Sequence, residues 1–181
     1  PPGLVRAVTM RIVSQVNQSS AAPSPARSAL DPTAVAALSS SALGAGPAGT
    51  LKVLVYSSDR LTRASIVMAL GRRPAPELPA IEIVECATEP IVIRQLDSHT
   101  FDLAILDGEA APAGGMGVCR QLKDEIFRCP PILVVVGRPQ DAWLATWSRA
   151  DAVVPMPIDP KVLADAAAGL LRRRLVGIES S

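Results

Sequence analysis

Carboxylates and hydroxyls follow two of the short apolar runs in this sequence, where an open parallel sheet would expose its functional crevice. Ser57 and Ser58 follow the first run, and Asp107 and Glu109 follow a later one. Carboxylates can hold a cation or move a proton, and hydroxyls can act as nucleophiles beside a base. These four residues therefore come first in a search for chemistry.

The sequence lacks the residue spacings that metal sites and disulfide scaffolds need. Cys86, Cys119 and Cys129 form an odd set with no C-x-x-C or Cys/His spacing, which argues against a zinc module and a secreted disulfide scaffold. His99 stands in a turn outside any Cys/His metal-ligand spacing. We expect no metal and no iron–sulfur, flavin or other cofactor, and we expect a reducing, cytoplasmic compartment.

Nucleophilic and nucleotide chemistry are also poorly supported. Ser57 and Ser58 have neither a G-x-S-x-G turn nor an evident paired His. The stretch 108–117 is glycine-rich but contains neither G-x-G-x-x-G after a strand nor G-K-[ST]. We therefore predict a flexible loop there instead of a nucleotide cradle, and we predict that the chain is not an enzyme.

The composition suits one folded domain with an appendage. The chain has 181 residues, 49% of them apolar, and its net charge of +1 gives no bulk electrostatic case for binding nucleic acid. No stretch approaches the run of about 18 apolar residues that a membrane span needs, so we predict no direct span. Because the chain begins with Pro1, we expect it to be a fragment of a slightly longer product.

From residue 51 onward, short β-branched runs alternate with amphipathic stretches. The runs predict buried parallel strands, at Leu51–Tyr56, Ile81–Val84, Leu103–Leu106, Ile132–Val136 and Ala152–Val154. The stretches between them predict helices at 60–71, 89–97, 115–126, 139–149 and 159–174, the last ending in three arginines that suit a helix C-terminus. Five β–α units predict a doubly wound α/β sheet in a domain spanning 51–181, with too few residues after Arg174 for an output module.

Residues 1–50 have a different character. Most of their second half is Ala, Ser, Pro and Gly, which bury too little apolar area to offset the entropy of ordering. Two short helices are predicted within this mostly irregular extension, one over 31–43 and one with Leu4, Val8 and Ile12 on a single face. We predict that the extension docks on a partner, and an unstructured tail or a misassigned start is the alternative.

Four motifs, in their order and spacing, carry a family resemblance. They are Val53-Leu54-Val55-Tyr56, Phe101-Asp102-Leu103-Ala104-Ile105-Leu106-Asp107, Pro131-Ile132-Leu133-Val134-Val135 and Ala150-Asp151-x-x-Val154-Pro155-x-Pro157. Together they resemble the receiver domain of bacterial response regulators in two-component systems, a flavodoxin-like (CheY-like) module that is phosphorylated on an aspartate. The resemblance implies that Asp107 stands at the phosphoacceptor position.

The same resemblance implies what the site lacks. Receivers carry an acidic pair after the first strand to hold magnesium, where this chain has Ser57 and Ser58. Val136 replaces the Ser or Thr that senses the phosphoryl group, and Met156 replaces the Lys that pairs with it. Phosphoryl transfer depends on positioning and charge neutralisation, which these replacements remove. We therefore predict a pseudo-receiver that keeps the fold and is not phosphorylated by the magnesium-dependent route.

Alternatives stay open for Asp107 and for the whole chain. Asp107 is expected to be a solvated carboxylate or to accept backbone N–H bonds from its own loop. The chain would alternatively be a functional single-domain response regulator of a phosphorelay, phosphorylated on Asp107. A third hypothesis is a small flavodoxin-like enzyme or flavin carrier.

Two tryptophans offer an interaction surface. Trp143 and Trp147 lie four residues apart on the predicted fourth helix, which places both indoles on one face. Core packing and a partner interface are equally good interpretations, since receivers commonly bind partners through this region and Trp is a typical hot-spot residue.

Three further strings carry a narrower resemblance, and they span residues 107–117, 121–125 and 137–145. They look like an orphan receiver-like family of actinobacteria that is associated with the proton-pumping NADH dehydrogenase, respiratory complex I. The resemblance implies an accessory subunit without a redox centre, bound to protein subunits of the peripheral arm. Such a subunit would lie at the cytoplasmic face of the inner membrane through its partner.

Overall fold

The structure is a computed structural model, and it describes residues 49–179. Strands and helices alternate along this part of the chain. The strands are β1 (Thr50–Tyr56), β2 (Ala80–Cys86), β3 (Leu103–Asp107), β4 (Ile132–Val136) and β5 (Ala152–Pro155). The helices are α1 (Arg60–Leu70), α2 (Glu89–Ser98), α3 (Gly115–Glu125), α4 (Ala142–Ser148) and α5 (Pro160–Glu179). A short 3₁₀ helix at Pro139–Asp141 precedes α4.

The five strands form one parallel sheet in the order β2-β1-β3-β4-β5. Successive side chains of a strand point to opposite faces, so each face receives its own apolar cluster. Val53 and Val55 of β1 join the cluster that packs against α1 and α5, whereas Leu54 and Tyr56 join the cluster that packs against α2 and α3. The strand order reverses beside β1 and β3, which places the crevice at the carboxyl ends of these strands.

The predicted α/β, flavodoxin-like fold is confirmed, and each predicted strand lies within an observed one. Two helix predictions were wrong at their boundaries. The stretch 139–149 divides into the 3₁₀ helix and the short α4. The last helix does not end at Arg174, because Leu175 continues its apolar face onto the core and the helix runs to Glu179. Arg172 pairs with Glu77 and therefore does not cap a helix end.

Predictions for the extension, including the face formed by Leu4, Val8 and Ile12, lie outside the described residues and stay predictions. The division into an extension and a domain beginning at residue 51 also stays a prediction. Within residues 49–179, none of the helices is both long enough and apolar enough to cross a membrane.

Candidate functional site

Asp107 ends β3 at the floor of the crevice and is buried, with 3% of its surface exposed. Its Oδ2 accepts a hydrogen bond from the Ser57 hydroxyl at 2.7 Å, and its Oδ1 accepts one from the Glu109 backbone N–H at 2.9 Å. Buried carboxylates need such donors, because an unpaired charge is costly to remove from water. Both oxygens of Asp107 therefore already have partners within the protein.

Ser57 directly follows the neighbouring strand β1, and its hydroxyl holds the Asp107 carboxylate in place. It is fully buried, and its Oγ accepts a hydrogen bond from the Asp59 N–H at 3.0 Å. Its carbonyl accepts a hydrogen bond from Arg63 Nη1 at 2.6 Å, and Arg63 also pairs with Glu85. Because Ser57 Oγ accepts from Asp59 N–H, its own proton is free to point at Asp107.

Asp59 is committed to α1 instead of the crevice. Its carboxylate accepts hydrogen bonds from the backbone N–H groups of Leu61 and Thr62 and from the Thr62 hydroxyl. These bonds, first of all the one from the Thr62 backbone, lower the pKa of Asp59 below its usual value. Asp59 is therefore the N-cap of α1.

The loop between β3 and α3 is tied to β1 at two points. Tyr56 donates its hydroxyl hydrogen bond to the Ala113 carbonyl at 2.6 Å, and the Ala111 N–H donates to Ser58 Oγ at 3.0 Å. Burial raises the pKa of the Tyr56 phenol, and the charges of Glu89 and Asp107 raise it further. The glycine-rich stretch that we predicted as a flexible loop is thus held over the crevice by side chains of β1.

A close approach at the start of α3 requires glycine. A Cβ on Gly115 would lie 2.5 Å from the Asp107 carbonyl oxygen, a distance that no side chain tolerates. Gly137 is less restricted, because a Cβ there would lie 2.7 Å from Oε1 of Glu109, an exposed side chain that can move aside. The Glu109 side chain therefore crosses from the β3 loop to the backbone of the β4 loop.

Val136 and Met156 contribute apolar surface to this edge of the sheet. Val136 is buried in the α2/α3 cluster, and Met156 is half-buried and packs against the opposite cluster. The Met156 N–H donates to the Val136 carbonyl at 2.7 Å, so the two residues are linked only through the backbone. Among residues 49–179 there is no group of three or more His, Cys, Asp or Glu side chains that could hold a metal ion.

Two known proteins settle the family of this chain. Uncharacterized response regulatory proteins of Mycobacterium tuberculosis, from the strains CDC 1551 and H37Rv, are each 58% identical to it over 122 residues. The match covers 67% of this chain and 92% of each relative. This chain belongs to the response regulator receiver family. A comparison with models of known protein families gives no match.

Solved structures show the same fold in more distant proteins. A CheY-like receiver domain protein from Methanospirillum hungatei superimposes with a TM-score of 0.58 at 18% identity, covering 71% of this chain and 99% of that one. A two-component transcriptional regulator from Clostridium phytofermentans gives 0.60 at 19% identity, covering 72% and 99%. At such identities the likeness concerns the fold alone.

The receiver fold brings some of the predicted site residues together and leaves others apart. Asp107 accepts a hydrogen bond from the Ser57 hydroxyl, and Ser58 Oγ accepts one from the Ala111 N–H of the loop that follows Asp107. The expectation that Asp107 is a solvated carboxylate was wrong, since a buried hydroxyl and a loop N–H enclose it. Its alternative, a bond from a backbone N–H of its own loop, is what the structure shows at Glu109.

The tryptophans lie on the surface of this receiver. Trp143 is 67% exposed and Trp147 is 54% exposed, so the core-packing interpretation was wrong. The alternative, a partner interface on α4, stays a prediction.

The sequence analysis did not identify a functional role for two side chains of the site, Tyr56 and Arg63. Tyr56 was predicted only as a strand residue, and Arg63 only as a residue of the predicted helix 60–71. Glu85 of β2 pairs with Arg63, but its side chain is half exposed and needs no basic partner, so the sequence carried no signal for this pair. The Tyr56 contact depends on the path of a loop, and no spacing in the sequence encodes that path.

Proposed function

We propose that this receiver is a pseudo-receiver that acts by binding other proteins and is not phosphorylated by the usual magnesium-dependent route. The observation that carries the proposal is the enclosure of Asp107, whose two carboxylate oxygens accept hydrogen bonds from Ser57 and Glu109 in a buried site. An attacking carboxylate oxygen must be free to reach the phosphorus atom in line with the leaving group. Each oxygen already uses one of its lone pairs as an acceptor, so attack by either oxygen competes with the hydrogen bond that it now accepts.

Charge is the second part of the support. A phosphoryl group on Asp107 would add negative charge beside Glu109, whose side chain already reaches the β4 loop. Ser57 and Ser58 are neutral where receivers hold magnesium, and Met156 is neutral where they place a lysine. The crevice therefore offers no cation to compensate the transferred group among these positions.

The partner that we propose is the peripheral arm of respiratory complex I, with this chain as an accessory subunit that has no catalytic or redox role. The support is the narrower family likeness together with the exposed indoles of Trp143 and Trp147 on α4. Exposed Trp side chains are costly in water and frequent at the centre of protein interfaces. In this proposal the protein lies at the cytoplasmic face of the inner membrane through its partner.

Affinity purification of the tagged full chain from detergent-solubilised membranes tests the partner. We expect NADH dehydrogenase subunits in stoichiometric amounts, and we expect their loss from the double variant W143A/W147A. Leu61→Ala is a matched control, because Leu61 is 74% exposed on a different helix. Recovery of a histidine kinase in place of these subunits would overturn the proposal, as would equal recovery by the tryptophan variant.

The second candidate function is a phosphorylated single-domain response regulator. Family membership and the position of Asp107 at the carboxyl end of β3 favour it. Incubation with acetyl phosphate and magnesium, followed by intact-mass spectrometry, separates the two candidates. A phosphoryl adduct on the wild-type chain that is absent from Asp107→Asn would establish this second function, whereas the pseudo-receiver gives no adduct on either.

A further inference from the structure

A protruding aromatic ring and a cavity lie side by side at the amino-terminal edge of the sheet, at the opposite end of the strands from Asp107. Phe127 is 97% exposed, although it is one of the largest apolar side chains in the protein. The cavity beside it has a volume of about 330 Å³ and lies between the end of α2 and the end of α3. Its lining is both apolar and polar: Leu96, Phe101 and Pro130 are buried, and Phe127, Asp97 and Arg128 form part of its exposed rim.

The backbone at the end of α3 explains why Phe127 does not fill this cavity. The Cys129 N–H donates to the Ile126 carbonyl at 3.2 Å, so residues 126–129 form a β-turn directly after the helix. Phe127 and Arg128 occupy the two central positions of this turn. They therefore lie at its tip, on the rim of the cavity and outside the core that Ile126 packs against.

Two opposite charges stand beside the ring and the cavity. Asp97 follows Leu96 of the cavity wall, and Arg128 follows Phe127. Both side chains are exposed, and within residues 49–179 neither forms an ion pair or a side-chain hydrogen bond. A ring that entered the cavity from outside, followed by an arginine, would bring that arginine towards Asp97.

We propose that this edge binds a second copy of the chain through a two-fold interface, in which Phe127 of each protomer enters the cavity of the other. Two-fold interfaces are self-complementary, and this edge carries both the ring and the cavity that receives it. The cavity is open to solvent on one side, and its volume of about 330 Å³ exceeds the roughly 150 Å³ that holds a benzene ring in an enclosed apolar cavity. The same arrangement places Arg128 of each protomer opposite Asp97 of the other.

The proposed interface between the two protomers is small, so the proposal implies weak self-association. One aromatic ring and one ion pair from each protomer form an interface at the lower end of the size range of specific contacts. Self-association is therefore weak and depends on protein concentration. This inference is independent of the proposed function, because it uses neither the Asp107 crevice nor α4.

Sedimentation velocity of the full chain, from low-micromolar to near-millimolar protein, tests the proposal. We expect a monomer–dimer equilibrium whose dissociation constant rises roughly tenfold or more in Phe127→Ala, since an aromatic anchor at an interface centre is lost. Met68→Ala is the matched control, because Met68 is 81% exposed on α1 and should leave the equilibrium unchanged. A monomer at every concentration would overturn the proposal, and so would equal dimerisation by Phe127→Ala and the wild type.

A charge exchange tests the geometry. Arg128→Asp and Asp97→Arg are each expected to weaken the dimer, because each places like charges opposite one another, and the double variant R128D/D97R is expected to restore it. Both positions are exposed, so these variants should fold as the wild type does. A double variant that associates no better than the single variants would contradict the proposed pairing.

Discussion

Strands β3 and β4 are buried along their whole length, and all of their residues except Asp107 are apolar. The loops at their carboxyl ends are partly exposed, and they are held by polar contacts between side chains and backbone. The strands contribute to stability by removing apolar surface from water, which depends little on any single polar group. A receiver can therefore keep its sheet after the residues of its site have changed.

The crevice is held together by hydrogen bonds between its own residues. The Ser57 hydroxyl donates to the Asp107 carboxylate at 2.7 Å. The loop above is held by Tyr56 and Ser58 of β1 and its end. The described contacts of the site are thus internal hydrogen bonds, and the proposed function holds that they stabilise the fold and do not serve phosphoryl transfer.

The largest expected effect is on the buried strands. Ile105→Ala in β3 leaves a cavity in a fully buried position and should lower the free energy of unfolding by about 2–5 kcal/mol. Urea denaturation measures the loss. Leu61→Ala removes similar atoms from an exposed position and should change the free energy by less than about 0.5 kcal/mol. Equal effects of the two substitutions would show that β3 is not the core.

A smaller effect is expected at the crevice. Ser57→Ala removes a donor to the buried Asp107 and should cost about 1–3 kcal/mol of unfolding free energy, because one carboxylate oxygen loses its partner. Ser58→Ala is the neighbouring control and should cost only about 0.5 kcal/mol, since its loop contact is exposed to water. A neutral Ser57→Ala would mean that the enclosure of Asp107 does not stabilise the fold.

Tyr56 links the strand to the loop, and Tyr56→Phe should cost about 0.5–1.5 kcal/mol through the lost bond to Ala113. Tyr56 is the only tyrosine of the chain, so the change of ultraviolet absorbance during an alkaline pH titration reports the ionisation of this phenol alone. Because its pKa is raised in the folded protein, its contribution is present below pH 10 and is lost as pH rises through the raised pKa. A pKa of 10 or below in the folded chain would contradict the buried contact.

The smallest effect concerns the cap of α1. Since the folded pKa of Asp59 is lowered, its carboxylate stabilises the protein above its usual pKa, and this contribution is lost as pH falls through the lowered value. Asp59→Asn keeps a capping side chain but does not titrate. Urea midpoints of the two proteins between pH 6 and pH 3 should therefore differ most at the higher pH and converge in acid. Parallel curves would contradict this role.

The sequence predicted the sheet well and the site only in part, for a physical reason. Apolar runs such as Ile132–Val136 identify buried strands without knowledge of their neighbours, and this strand has the predicted bounds. The family pattern placed Asp107 at the end of β3. Its enclosure by Ser57 and Glu109 depends on side-chain directions across two strands, which the order of residues does not specify.

The cysteines illustrate the same difference. Their spacing argued against a metal module, and spacing alone says nothing about their surroundings. Burial raises the pKa of Cys86 and of Cys119 to about 11, so both stay thiols near neutral pH and behave as apolar core groups. Burial is a property of the folded chain, and for this reason only the structure reveals it.

The central claim is that Asp107 is closed to phosphoryl chemistry, and beryllofluoride with magnesium tests it most directly because this pair mimics the phosphorylated aspartate of a receiver. The measurement is the amide NMR spectrum of the full chain with and without the mixture, beside a receiver that keeps the acidic pair and the lysine as a positive control. We predict shifts in the control and no shifts around Asp107 in this protein. Saturable shifts centred on Asp107, absent from Asp107→Asn, would contradict the account.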